Sequence, residues 1–199
     1  MTEFFTVSSC IASLLFVGLV AYAHLKRREF DHASTSLSEY FSGSTRHVML
    51  AAYICMAFAL VCLALKIIPE QRGIVGGMGK VCGLLMLIAA ACLIPIALTA
   101  RRQLDADTRS ARTKSLHRVL ACVSLVAMVI AMVAYSMLGF PTDHRYQRAL
   151  RAFAIVWSIF ALMDLVISIQ VPPGTRYHGL VQKILVALVA TWVFICAWA

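Results

Sequence analysis

Long apolar runs alternate with short polar segments along the whole chain. The runs lie at residues 4–25, 48–68, 81–100, 119–140, 149–171 and 180–199. Stretches such as residues 84–91 are continuously apolar and lack the polar–apolar alternation of a barrel strand. A helix needs about 20 mainly apolar residues to cross the roughly 30 Å hydrocarbon layer, and it satisfies its backbone hydrogen bonds within one segment. The pattern therefore predicts an all-α polytopic membrane protein in which residues 1–199 form one bundle of six transmembrane helices.

The composition agrees with a membrane protein and argues against nucleic acid as a partner. Hydrophobic residues make up 61% of the chain and charged residues 14%, whereas soluble domains are roughly half apolar and about a quarter charged. The net charge of +9 comes from basic residues in the short polar segments, where they set topology and attract anionic headgroups. The seven cysteines lie within the apolar runs without a C-x-x-C pair, so we expect them to act as small apolar residues of a helix bundle and not to form a disulfide framework.

Basic residues also predict the orientation of the chain. Six runs leave five connections, and twelve Lys and Arg residues lie in or beside the first, third and fifth, against six in or beside the other two. The membrane face that carries residues 26–47, 101–118 and 172–179 is called the loop-one face below. Because cytoplasmic loops are enriched in Lys and Arg, we predict a multipass protein of the inner (plasma) membrane with both termini outside the cytoplasm.

Two local features predict irregular backbone. Pro95 removes a backbone donor near the end of the third run and should kink that helix. Four glycines in residues 73–79 predict a flexible second connection, with the next helix beginning near Val81.

Asp164 is the most informative single residue, because it is the only carboxylate well inside an apolar run. An acid in that position is costly and needs a reason. At 1.5 Å per helical residue, it lies roughly 10 Å below the loop-one face. Three roles remain open: a proton-exchanging or catalytic acid, an ion pair with Lys183, or a residue wetted from the loop.

Most of the histidines also gather at the loop-one face. Five of the six lie there: His24, His32, His47, His117 and His178. Two acids of the third connection, Asp105 and Asp107, lie at the same face. Imidazoles beside carboxylates can act as general acids and bases or bind zinc. The chain has no H-E-x-x-H motif, so we expect no cofactor, and zinc is the less favoured alternative.

Three segments resemble one known family. They are residues 36–43 before a long apolar helix, residues 104–107 followed by Thr113 and by Leu116 with His117, and residues 179–183 before a last helix that contains Trp192. In this order they resemble the bacterial integral membrane family called domain of unknown function 998, in which Arg is usual at the position of Lys183. The resemblance implies a six-span fold but no reaction, and it marks these candidate site positions: Ser38, Tyr40, Asp105 or Asp107, His117 and Lys183.

Three functions are compatible with these features. The favoured one is binding or processing of a lipid headgroup or amphiphile in a polar pocket at the loop-one face, with membrane lipids as partners. Its acid, base or ligand groups would be Asp105, Asp107, His117 and Asp164. Arg118 and Lys183 would bind the phosphate or carboxylate of the ligand, and Ser38 and Tyr40 are further candidate ligand-binding residues. The alternatives are an accessory subunit of a larger membrane complex and a small proton-coupled transporter. Whether the chain is an enzyme, and whether it pairs with itself or with another membrane protein, is left open.

Overall fold

The structure is a computed structural model that describes residues 2–31, 33–70, 73–105, 111–137, 144–170 and 178–198. For residue 70, residues 164–170 and several helix ends, only the backbone is described. The helices are α1 (Thr2–Lys26), α2 (Arg46–Glu70), α3 (Gly73–Asp105), α4 (Ala111–Met137), α5 (His144–Gln170) and α6 (His178–Trp198). Two 3-10 turns, Leu37–Phe41 and Gly43–Thr45, lie between α1 and α2. The predicted all-α class is confirmed.

Five of these helices are long and apolar enough to cross a membrane. In the fifth helix, the described part includes a shorter apolar stretch, Arg151–Met163. The described residues of each apolar run lie inside one helix, because in lipid only local hydrogen bonding satisfies the backbone of a single segment. The assignment of the whole chain to one six-span domain stays a prediction.

The second and third connections are shorter than the sequence suggested. The expected flexible glycine segment is wrong, because α3 already begins at Gly73. Each glycine costs a helix about 1 kcal/mol relative to alanine, but an unpaired backbone group in an apolar environment costs more. Helix α3 then continues to Asp105 and α4 begins at Ala111, so Asp105 and His117 both lie on helices.

The helices form a closed bundle. Each contacts the next in sequence, and α6 contacts α1 and also α2. Alanines at many of the contacts, including Ala52, Ala59, Ala89 and Ala131, are fully buried and allow the close backbone approach typical of membrane helices. Large apolar side chains such as Phe4 and Leu14 remain exposed on the outside, where lipid would cover them.

Polar side chains connect the helices inside this apolar core. Ser9 donates to the carbonyl of Ala59 at 3.0 Å, and the indole of Trp157 donates to the carbonyl of Leu185 at 3.0 Å. Away from the loop-one face, Lys66 of α2 donates to the carbonyl of Ala197 of α6 at 2.8 Å. Since buried polar groups are costly unless hydrogen-bonded, these contacts favour one arrangement of the helices.

Candidate functional site

The segment between α1 and α2, residues 27–45, folds over the bundle at the loop-one face and is called the cap below. The first of its two 3-10 turns is capped by Ser36, whose backbone N–H and hydroxyl both donate to the Glu39 carboxylate, at 3.4 and 3.1 Å. The sequence Ser-Leu-Ser-Glu is the capping-box pattern, in which an acid three residues on returns to the capping residue. The local fold of the cap therefore follows from its own sequence.

Arg27 joins the two ends of the cap. Its guanidinium donates to the carbonyl of Ser42 at 2.8 Å, pairs with Glu29 and lies 4.0 Å from the centroid of the Phe30 ring. The backbone turns beside it at Gly43, whose φ is +58°, and an added Cβ would lie 2.9 Å from the Arg27 guanidinium nitrogen Nη1. A residue without a side chain suits both the left-handed backbone and the lack of space.

The inner side of the cap is apolar and packs between the helix ends. Leu37, Tyr40 and Phe41 are buried in a cluster with alanines of α1 and α3, Ala23 and Ala97 among them. The Tyr40 ring stacks on His24 at a centroid distance of 4.4 Å and meets Phe30 edge-on at 5.2 Å. Burial raises the pKa of Tyr40 to about 12, so its phenol is neutral at physiological pH.

Helix α6 binds the cap through three hydrogen bonds. The backbone N–H of Leu180 donates to the carbonyl of Ala33 at 2.9 Å, and the side-chain oxygen of Gln182 accepts from the N–H of Leu37 at 3.1 Å. The Lys183 ammonium donates to the carbonyl of Thr35 at 3.0 Å and lies 5.4 Å from the Tyr40 ring centroid. We call these contacts the cap junction.

Gly179 permits this close approach. A Cβ added there would lie 2.7 Å from the carbonyl carbon of Thr35 and closer still to its oxygen, so a side chain would collide with backbone. Residues 36–43 and 179–183, recognised separately in the sequence, are thus two sides of one contact.

Of the predicted site residues, the structure brings Tyr40 and Lys183 together at the cap junction, and Ser38 lies in the same 3-10 turn of the cap as Tyr40. Ser38 is partly buried, and its hydroxyl lies 2.8 Å from that of Ser36. Tyr40 is fully buried, so its ring supports the cap from within. Lys183 is partly buried at the edge of the cap.

His117 and Arg118 lie elsewhere on the same face, in the second turn of α4. His117 Nδ1 is 3.0 Å from the Thr99 hydroxyl of α3, and Arg118 is exposed. Ala97 and Ala100 of α3 pack against the cap, and 100° of rotation per helical residue turns Thr99 away from them. Helix α3 therefore lies between His117 and Tyr40.

The acidic candidates fall largely outside the described residues. Asp105 ends α3, but only its backbone is described, and Asp107 is not described at all. Asp164 lies in α5 and its side chain is not described, so its ion pair with Lys183 stays a prediction. Among the described residues, no group of three or more His, Cys, Asp or Glu side chains could hold a metal ion.

Comparison with known proteins identifies the family. The model of a family described as "Protein of unknown function (DUF998)" matches residues 10–199. The chain belongs to this family. The resemblance noted in the sequence is thereby confirmed, and the DUF998 match covers the cap, the cap junction and the Thr99–His117 pair. No curated protein and no solved structure matches the chain.

Several residues of the cap junction and its surroundings had no assigned role in the sequence. Thr35 contributes only a backbone carbonyl, and Thr99 is an ordinary threonine of an apolar run, so neither gave a signal. Gly179 did give one, because a glycine in the first turn of a helix is consistent with a close approach to another backbone.

Proposed function

We propose that this DUF998 protein binds the anionic headgroup of a membrane amphiphile, through its phosphate or carboxylate, at the edge of the cap. The observation that carries the proposal is the cap junction, where the Lys183 ammonium, in the second turn of α6, donates to the Thr35 carbonyl of the cap. A cation held near the end of an apolar helix is suited to an anionic headgroup.

The charge around the cap supports this proposal. Residues 26–46 contain four basic residues, Lys26, Arg27, Arg28 and Arg46, against the acids Glu29, Asp31 and Glu39, and Lys183 adds a fifth basic residue. Lys26 and Arg28 are exposed at the start of the cap. Basic residues beside an anionic leaflet attract it by about 1 kcal/mol each, so the excess of cations favours an anionic over a neutral headgroup.

Native mass spectrometry in mild detergent tests the proposal. We expect the wild-type protein to carry a bound phospholipid-sized species and Lys183→Met to lose most of it. Lys66→Met is the matched control, because Lys66, like Lys183, donates to a backbone carbonyl of another segment; its acceptor is Ala197 of α6, at 2.8 Å and away from the loop-one face. An empty wild-type protein, or equal losses in the two variants, would contradict headgroup binding at Lys183.

The orientation and the remaining functions are also part of the proposal. We infer that the protein lies in the plasma membrane with the cap on the cytoplasmic side, which rests on the twelve-to-six distribution of basic residues. The accessory-subunit hypothesis and the transport hypothesis stay predictions. The latter depends on Asp164, whose side chain is not among those described.

A further inference from the structure

A polar pair between α3 and α4 has no part in the cap. The Thr99 hydroxyl oxygen lies 2.8 Å from the carbonyl of Pro95, 3.0 Å from the carbonyl of Ile96 and 3.0 Å from Nδ1 of His117. Thr99 is buried, His117 is partly buried, and both lie at the loop-one end of their helices.

The hydrogen atoms of this pair can be assigned by elimination. A carbonyl oxygen only accepts, and a threonine hydroxyl has a single hydrogen to donate. The carbonyl oxygens of Pro95 and Ile96 lie within 3.0 Å of the Thr99 hydroxyl oxygen. Oxygen atoms at that distance repel each other unless a hydrogen lies between them, so the hydroxyl hydrogen points toward these carbonyls. The remaining contact, to His117 Nδ1, must then use a hydrogen on the imidazole.

The nitrogen that carries the hydrogen decides where the free lone pair of the ring lies. With Nδ1 protonated, the neutral ring has its lone pair on Nε2, because the hydrogen bond made by one ring nitrogen sets the state of the other.

We propose that Thr99 is a positioning residue that holds His117 in the Nδ1–H tautomer, so that Nε2 is the hydrogen-bond and proton acceptor of a second site at the loop-one end of α3 and α4. The ligand that it fits has a hydroxyl or ammonium donor. This site is separate from the proposed headgroup site, because α3 lies between His117 and the cap.

Nitrogen NMR of the histidine rings tests the tautomer directly. The protein is labelled with ¹⁵N-histidine in detergent micelles at about pH 8.5, about two units above the ordinary imidazole pKa of about 6.5. The signals of His117 are assigned by their loss in His117→Gln. We expect a pyrrole-type Nδ1 and a pyridine-type Nε2 in the wild type and in Thr99→Ser, and a mixture of tautomers in Thr99→Val.

The matched control is Thr191→Val, since Thr191 also donates to the carbonyl four residues earlier, that of Ala187, at 2.8 Å. It should leave the His117 signals unchanged. The reactivity of Nε2 is measured with diethyl pyrocarbonate, which acylates an unprotonated imidazole nitrogen. If Thr99→Val leaves the two tautomers equally populated, the rate at His117 falls about twofold, because Nε2 then carries a lone pair in half of the rings.

Two results would overturn the assignment: a wild-type His117 with its hydrogen on Nε2, or a Thr99→Val protein whose tautomer or acylation rate matches the wild type. Neither measurement depends on a bound lipid. Failure here and failure of the proposed headgroup site are therefore distinguishable.

Discussion

Replacing Gly179 by alanine should detach or strain the cap, because the position has no space for a side chain. The new Cβ would meet the carbonyl group of Thr35, with its carbon 2.7 Å away, and the carbonyl carbon of Ser34 at 3.0 Å. These atoms are backbone and cannot rotate away as the end of a side chain can. Either the cap stays in place under strain or it separates from α6.

The size of the effect follows from comparing these two responses. Strain from overpacking costs about 1 to 3 kcal/mol. Separation loses two neutral hydrogen bonds of about 1 kcal/mol each and one ammonium hydrogen bond of about 2 kcal/mol. Since the protein takes the cheaper response, we expect the cap junction to lose about 1 to 3 kcal/mol.

Hydrogen–deuterium exchange in detergent measures this loss locally. A change of that size corresponds to about 5- to 150-fold faster exchange where local opening controls the rate, and we expect it in peptides covering residues 33–42. Gly18→Ala is the control, because Gly18 is exposed on α1 and an added Cβ meets no atom within 4 Å. Wild-type exchange in the cap of Gly179→Ala would refute the steric argument, as would equal acceleration in Gly18→Ala.

Three further predictions concern the cap and the topology. The pKa of Tyr40 is about 12 in the folded protein and 10.0 ordinarily, so the unfolded chain loses this proton first as the pH rises. The free energy of unfolding should therefore fall between pH 10 and 12. Denaturant titrations at each pH should show that Tyr40→Phe lacks this part of the fall. Gly43→Ala should lower the free energy of unfolding by about 1 to 2 kcal/mol, because alanine is strained in the left-handed backbone conformation, and the new side chain should also displace Arg27. Equal unfolding midpoints for the variant and the wild type would contradict this. A phosphatase reporter active only outside the cytoplasm should be active after Ala199, and activity of a cytoplasmic reporter there would reverse the topology.

Much of the fold could be predicted from the sequence. Six apolar runs predicted six helices, and three short segments predicted the family, because both properties are written in contiguous residues. The exceptions were helix ends. The glycines of residues 73–79 resembled a loop by composition, yet α3 begins at Gly73, since the apolar environment favours a hydrogen-bonded backbone over the conformational freedom of glycine.

The candidate site was predictable only in part. The sequence marked Tyr40 and Lys183, which meet at the cap, and Ser38, which lies in the same turn as Tyr40. It also marked His117, which lies across α3 from them. The sequence pattern could not show which of these residues are close to one another, because all of them were predicted at the same membrane face.

An all-helical membrane protein of the DUF998 family could be predicted from the sequence alone. Helix formation in an apolar solvent depends on local hydrogen bonds, and those can be judged from a run of about 20 residues. The hydrogen bond from the Lys183 ammonium to the Thr35 carbonyl and the contact of Thr99 with His117 became visible only in the folded structure. Such contacts depend on how separate helices rotate and pack against one another, and no short stretch of the chain contains both partners.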